Sequence, residues 1–191
     1  MKKTFELVAS HPALDLVNTL DWRFRGAGPE ELLESYGDLL RFTEQAKLLT
    51  SKQARDLRRS SGEKTLLRLR ELREALADVF YGPGLSSESR GTLERYFQEA
   101  RARQTLAWEQ WPHLEWSWAG QRDPELPLWA LAVSAANLMT SESVERVRAC
   151  DNTECRWLFL DTSKNHTRRW CDMKICGNRM KARRFKAQRK A

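Results

Sequence analysis

The stretch CDMKICGNRMKARRFKAQRK, from Cys171 to Lys190, holds two cysteines, eight basic residues and one acid. Upstream, Cys150 and Cys155 repeat its C-x4-C spacing, and fifteen residues separate the two pairs. Four thiolates in two local pairs are what a closed tetrahedral zinc site needs, because each short loop turns two sulfurs toward one ion. Four cysteines also fill the coordination shell and leave no position for a catalytic water. Disulfides or unpaired structural cysteines would leave the pairing unexplained, and an iron–sulfur cluster commonly uses tighter spacing; both stay open as alternatives. Between the pairs, WLFLD (157–161) and HTRRW (166–170) predict a hairpin, and Asp172 can cap a helix starting at Met173. Knuckle, hairpin, then a helix whose first turn supplies the last ligand is the order of a treble-clef finger.

Charge sets the same segment apart. Of 33 Lys and Arg and 26 Asp and Glu, 12 and 4 lie in 150–191, which leaves 21 and 22 in the first 149 residues. The net charge of +7 therefore resides in the last quarter of the chain. Such asymmetry points to a polyanion, most often nucleic acid. On a helix over 173–190, Arg179, Arg183, Lys186 and Lys190 fall at i, i+4, i+7 and i+11, one stripe, with Met173, Cys176, Met180 and Ala187 on a neighbouring arc suited to packing. The stripe would neutralise phosphates without reading sequence. Asn178 and Arg179 are the side chains chemically suited to base edges, although Arg179 could equally serve as a structural donor to the knuckle.

The first 149 residues contain no cysteine and read as mostly helical. Ser10 is placed to cap a helix over 11–20, Pro29 with Glu30 and Glu31 to open a second, and Ser35 a third toward Lys47. Thr50 and Ser51 begin a short one. Leu66, Leu69, Leu72 and Leu76 form a helical stripe ended by Gly82-Pro83-Gly84, and 88–103 predicts another helix. The period then shortens to two at Leu106 and Trp108 and again at Leu114, Trp116 and Trp118, predicting a β-hairpin turning at Gln110–His113. Its tryptophans suit either packing or an aromatic wall. Asp123-Pro124-Glu125 caps an apolar helix through Met139, and polar 140–143 makes a boundary. In the first helix His11, Asp15, Asn18 and Trp22 form a polar stripe, either ordinary surface or the wall of a pocket, opposite an apolar arc of Ala13, Leu14, Leu16, Val17 and Leu20.

Cys176-Gly177-Asn178-Arg179, preceded by Cys171 and followed by a basic helix, resembles the CGNR zinc finger. His11-Pro12-Ala13-Leu14-Asp15-Leu16-Val17-Asn18-Thr19 resembles the opening signature of the ABATE domain, the usual companion of that finger in bacterial transcription regulators associated with stress responses. The resemblance implies a mainly helical α+β chain: an ABATE-type domain with a β-hairpin over 1–143 and a small treble-clef finger over 144–191. It implies structural zinc on Cys150, Cys155, Cys171 and Cys176 and a finger that binds DNA, for which the helical stripe and its root supply Asn178, Arg179, Arg183, Lys186 and Lys190 as candidate contacts to double-stranded DNA. It also implies an unidentified small ligand for the N-terminal domain, with His11, Asp15, Asn18, Trp22 and Arg23 as its candidate contacts.

The expected function is a zinc-dependent, ligand-responsive DNA-binding regulator. The alternative is a zinc-finger module for RNA, ribosome or protein without sequence-specific DNA readout. With only Phe185 in its helix, the basic tail lacks the interleaved aromatics of single-strand platforms, which favours duplex. An enzyme is not expected: no Gly-rich phosphate loop, nucleophile elbow or second metal motif is present. A single finger reads few base pairs, so a homodimer or a partner is expected. No run approaches the roughly 18 apolar residues of a membrane span, and Glu6, His11 and Asp15 interrupt any signal-peptide core after Met1-Lys2-Lys3. The expected location is cytoplasmic, at the nucleoid.

Overall fold

The computed structural model describes residues 4–82, 84–108 and 111–188, the side chains of 184 and 187 excepted. The chain divides into two compact units, Leu33–Asn137 and Met1–Leu32 together with Leu138–Ala191. The segment 1–143 is therefore shared between both. No helix among the described residues is long and apolar enough to cross a membrane.

The Leu33–Asn137 unit is helical, and its caps follow the expected signals. Helix α2 (Tyr36–Gln45) starts with a reciprocal box between Ser35 and Asp38, and α3 (Ser51–Leu57) with one between Thr50 and Gln53, each satisfying N–H groups that a helix start would otherwise leave open. In α4 (Glu63–Tyr81) the stripe Leu66, Leu69, Leu72 and Leu76 is buried, and α4 packs along α5 (Ser87–Ala102). Gly62 precedes α4 where a Cβ would lie 2.3 Å from the Tyr36 ring, so only glycine fits. Arg68 joins the two helices: it pairs with Glu99 at 2.5 Å, bonds Glu125 and lies over the Tyr96 ring. Pro83 of the expected breaker lies outside the described residues, but α4 ends at Gly82, whose N–H returns to the Asp78 carbonyl.

The expected hairpin forms from β3 (Gln104–Ala107) and β4 (Glu115–Trp118), with Leu106 opposite Trp116; Gln110 of its turn lies outside the described residues. Its tryptophans divide. Trp118 stacks on Trp129 of α6 (Leu126–Met139) at 6.4 Å, whereas Trp108, Trp111 and Trp116 are exposed, because a two-stranded ribbon has more faces than α6 covers. Asp123 accepts the Glu125 N–H at the start of α6 as expected, and the helix is apolar on nearly every side and buried accordingly.

The second unit departs further from expectation. The first helix, α1, covers only Pro12–Val17, and His11 caps it by accepting the Ala13 N–H on Nδ1 at 3.3 Å; Ser10 sits just outside, at φ 61°. No helix starts at Pro29. Glu30–Glu31 is instead strand β2, antiparallel to β1 (Leu20–Asp21), and the Leu32 N–H extends the pairing to the Thr19 carbonyl at 2.9 Å. Acidic residues after a proline suit a helix start, but the ladder already offered by 19–21 satisfies the same backbone groups. After a 3-10 turn over Glu142–Arg146, β5 (Val147–Ala149) pairs with β6 (Leu158–Leu160). The expected hairpin between 157–161 and 166–170 is thus replaced by one that carries the first cysteine pair at its turn. The last described elements are one π-helical turn, Met173–Gly177, closed by the Gly177 N–H on the Asp172 carbonyl at 3.1 Å, and α7 (Asn178–Gln188), which continues it.

Candidate metal centre and nucleic-acid interface

Four loop-borne sulfurs meet in the second unit. Cys150 follows β5, and its N–H bonds the Trp157 carbonyl at 2.8 Å, closing the knuckle so that Cys155 faces the same point. Cys171 precedes the last helical segment, and Cys176 lies in its first turn. Asp172 between them accepts the N–H of Lys174 at 2.6 Å and of Ile175 at 3.2 Å, the expected cap. The four sulfurs lie within 4.8 Å of one another, all on buried residues, and Cys155 and Cys171 are 3.8 Å apart.

A zinc–sulfur bond of about 2.3 Å gives a tetrahedron with edges of about 3.8 Å, so this cluster has zinc dimensions. Electrostatics agrees. Hydrogen bonds from Cys155 and Cys171, joined by the backbone, pull the Cys150 thiol below its ordinary range. The Cys150 sulfur and burial push the Cys155 thiol up, and Cys171 is pushed up by the same neighbours. The bare cluster thus favours a thiolate at Cys150 and resists one at Cys155 and Cys171, and a divalent cation is the charge that lets such neighbours ionise together. Fully buried Asn152 adds a donor from Nδ2 to the Cys176 sulfur at 3.4 Å, an outer-shell contact of the kind that orients ligands. The C-x4-C spacing carries no signal for Asn152.

The loop from 161 to 170 is held without a β ladder. The Asp161 carboxylate accepts the Ser163 N–H and hydroxyl, at 2.9 and 2.6 Å, and the Arg168 N–H at 3.0 Å. Burial raises its pKa, but these bonds prevail and hold the carboxyl below its ordinary range. Arg168 donates to the carbonyls of Trp170 and Val8, at 2.9 and 3.1 Å, and to that of Cys171, with its guanidinium 4.3 Å from the centre of the Phe159 ring.

The N-terminal signature is built into this finger. One edge of β6 pairs with β5. On Leu158 the Asn18 side chain makes both bonds a strand would make, accepting the Leu158 N–H at 2.8 Å and donating to its carbonyl at 2.9 Å. The Leu160 N–H goes to the Ala9 carbonyl at 2.8 Å. Asp15 is buried beneath and accepts the Ala9 N–H at 3.0 Å; burial raises its carboxyl to about 7, opposed by the amides of Ala9 and Val8. Trp157 Nε1 donates to Asp21 at 2.8 Å. Asp15 and Asn18 therefore do not lie on a surface stripe. His11 and Trp22 are half-buried, with the His11 pKa lowered by burial, and Arg23 is also half-buried. A groove of about 770 Å³ in this unit is lined by Leu7, Val8, Ser10, Thr167 to Trp170, Asp172 and Met173, with none of the five candidate ligand contacts among them.

On α7, Asn178, Arg179, Arg183 and Lys186 are all exposed; Lys190 lies outside the described residues. Arg183 reaches Glu154 of the knuckle at 3.1 Å, an acid that the linear sequence does not place near the stripe. Arg179 lies over the Trp22 ring at 5.4 Å. Gly177 leaves room for the Met173 side chain, since a Cβ there would lie 2.5 Å from its sulfur and 3.2 Å from the Trp170 ring, and a side chain at 177 would displace that flexible, exposed methionine. Cys176 is buried and Met180 half-buried, as a packing arc demands, whereas Met173 is exposed.

A closed four-cysteine site at the root of a basic helix defines a structural zinc finger. The CGNR zinc finger family matches residues 146–189, and the four cysteines hold a structural zinc. Residues 10–142 match ABATE, described as "Putative stress-induced transcription regulator", and the chain belongs to this family, with ABATE followed by CGNR. No curated protein matches the chain.

Proposed function

We propose that this protein is a zinc-dependent regulator that binds duplex DNA through α7 and changes that binding when a small ligand occupies its N-terminal part. The observation that carries the reading is the exposed row Arg179, Arg183 and Lys186 on a helix that continues directly from the turn supplying a buried zinc ligand. Zinc gives so short a helix a fixed root, and the row supplies phosphate contacts. Asn178 and Arg179, nearest that root, are the side chains for base edges. The groove beside Asp172 and Met173 supports the ligand half of the reading, because an occupant there would touch the turn between Cys171 and Cys176. The role is binding rather than catalysis, and a dimer is the working form on DNA, to be checked by sedimentation of the complex.

The test is selection of bound duplexes from a random pool by the full chain at about 150 mM salt, where non-specific binding is already weakened. An enriched motif supports the regulator. Salt-sensitive binding without enrichment, or preference for RNA, would replace it with a module that recognises charge or structure.

A further inference from the structure

Between β1 and β2 the chain reads Trp22-Arg23-Phe24-Arg25-Gly26-Ala27-Gly28, cations alternating with aromatics far from the basic tail in sequence. The structure closes this segment into a compact arm. The Arg25 N–H bonds the Trp22 carbonyl, and the Gly28 N–H bonds that of Arg25, each at 2.9 Å. The Arg25 guanidinium donates from Nε and Nη2 to the Gly28 carbonyl at 3.2 and 3.1 Å. Gly28 makes the return at φ 92°, where a side chain would be strained.

The arm is fastened to the finger at two points. Asp21 accepts both the Trp22 N–H, at 2.7 Å, and the Trp157 indole N–H, so one carboxylate joins the root of the arm to the strand after the knuckle. The Trp22 ring carries two guanidiniums, Arg25 at 5.6 Å and Arg179 of α7 at 5.4 Å. A guanidinium stacked on an indole keeps its in-plane N–H groups for phosphate or a base edge. Trp22 thereby sets the direction of Arg179 and holds the arm against the helix it belongs to. The acids of the arm, Asp21, Glu30 and Glu31, lie at its base, whereas Arg23 and Arg25 belong to the loop with Phe24, which is 46% exposed.

We propose that the Trp22–Gly28 arm is a second nucleic-acid-binding element, forming one cationic surface with α7, and that its partner is duplex DNA. The inference rests on the function proposed above and adds a part of the chain outside the finger to the contact. Charge complementarity selects a polyanion, and the continuity of arm and helix across Trp22 selects the same polyanion for both. Arg23 and Arg25 contact phosphates, Phe24 contributes apolar contact with sugar or base, and Trp22 positions Arg179.

The test uses the full zinc-loaded chain and a mixed-sequence duplex of about 30 base pairs, titrated by fluorescence anisotropy at several salt concentrations. Zinc content and unfolding midpoint are checked for each variant. Arg23→Gln and Arg25→Gln are expected to weaken binding several-fold and to lower the salt slope by about 0.9 each, the release from one phosphate. Phe24→Ala is expected to weaken binding with the slope unchanged. Trp22→Ala is expected to remove most of the effect of a further Arg179→Ala, because Arg179 is already misdirected. Wild-type affinity and slope in Arg23→Gln and Phe24→Ala, with Lys186→Ala still lowering the slope, would overturn the arm and leave the proposed function standing. Loss confined to single-stranded RNA would overturn the choice of duplex. A wild-type chain that binds no duplex would overturn both readings.

Discussion

Replacing Asn18 by alanine removes both bonds that the signature helix makes to β6. Each is an ordinary hydrogen bond worth about 1 kcal/mol net, but the loss is larger because Leu158 is buried and its N–H and C=O would face no partner. Two orphaned backbone groups at about 1–3 kcal/mol each give about 2–6 kcal/mol if the space stays dry. Water entering the vacated volume would recover part of this and set the lower end near 2 kcal/mol. Hydrogen exchange reads the effect at the bond itself: protection of the Leu158 amide should fall by about a hundredfold, the equivalent of roughly 3 kcal/mol. Zinc transfer to a chromogenic chelator should also accelerate, since β6 follows directly on the loop that carries Cys150 and Cys155. Asn18→Asp should be no better, because its second oxygen would face the Leu158 carbonyl. If Asn18→Ala leaves the Leu158 amide protected and stability within about 0.5 kcal/mol of wild type, Asn18 is not the edge partner of the finger, and its place as a ligand contact returns.

Cys171→Ala should release zinc and unfold the finger while leaving the helices of Leu33–Asn137 folded; unchanged zinc content in the variant would refute the metal assignment. Asp15 has a folded carboxyl at about 7 against an ordinary value of 3.8, so the neutral acid favours folding. Its contribution is fully present below about pH 4 and lost as pH rises through 7, on the order of 4 kcal/mol. Asp15→Asn should therefore flatten the fall in unfolding midpoint between about pH 4 and 7, and parallel profiles for variant and wild type would refute this. Lys186→Ala should weaken binding to all duplexes alike and lower the salt slope by about one, while Arg179→Ala should change sequence preference; identical behaviour of the two would reject base readout by Arg179.

Much of the fold was legible because its signals are local. Ser35, Thr50 and Asp123 announce helix starts through bonds to residues two or three positions on, and the leucines of α4 declare a face by period alone. The four cysteines declare a metal site because two short loops each present a pair. Illegible were features that depend on partners distant in sequence. Asn18 and Asp15 fall on a polar stripe by helical period, yet they are buried because β6, some 140 positions later for Asn18, needs an edge partner and the amides of Val8 and Ala9 need an acceptor. Pro29-Glu30-Glu31 looks like a helix start until β1 competes for the same backbone groups. Asn152 has no spacing to recommend it, and its donor role exists only once Cys176 arrives.

From the residues alone follow a mostly helical chain, a zinc site and a basic terminal helix, since each depends on propensity, spacing or charge within a few turns. Tertiary structure alone decided that the N-terminal signature completes the finger and that the Trp22–Gly28 arm meets α7. The physical reason is that buried backbone groups and stacked guanidiniums are satisfied by whichever partner folding brings within about 3 Å or 5 Å, and sequence separation carries no record of that distance.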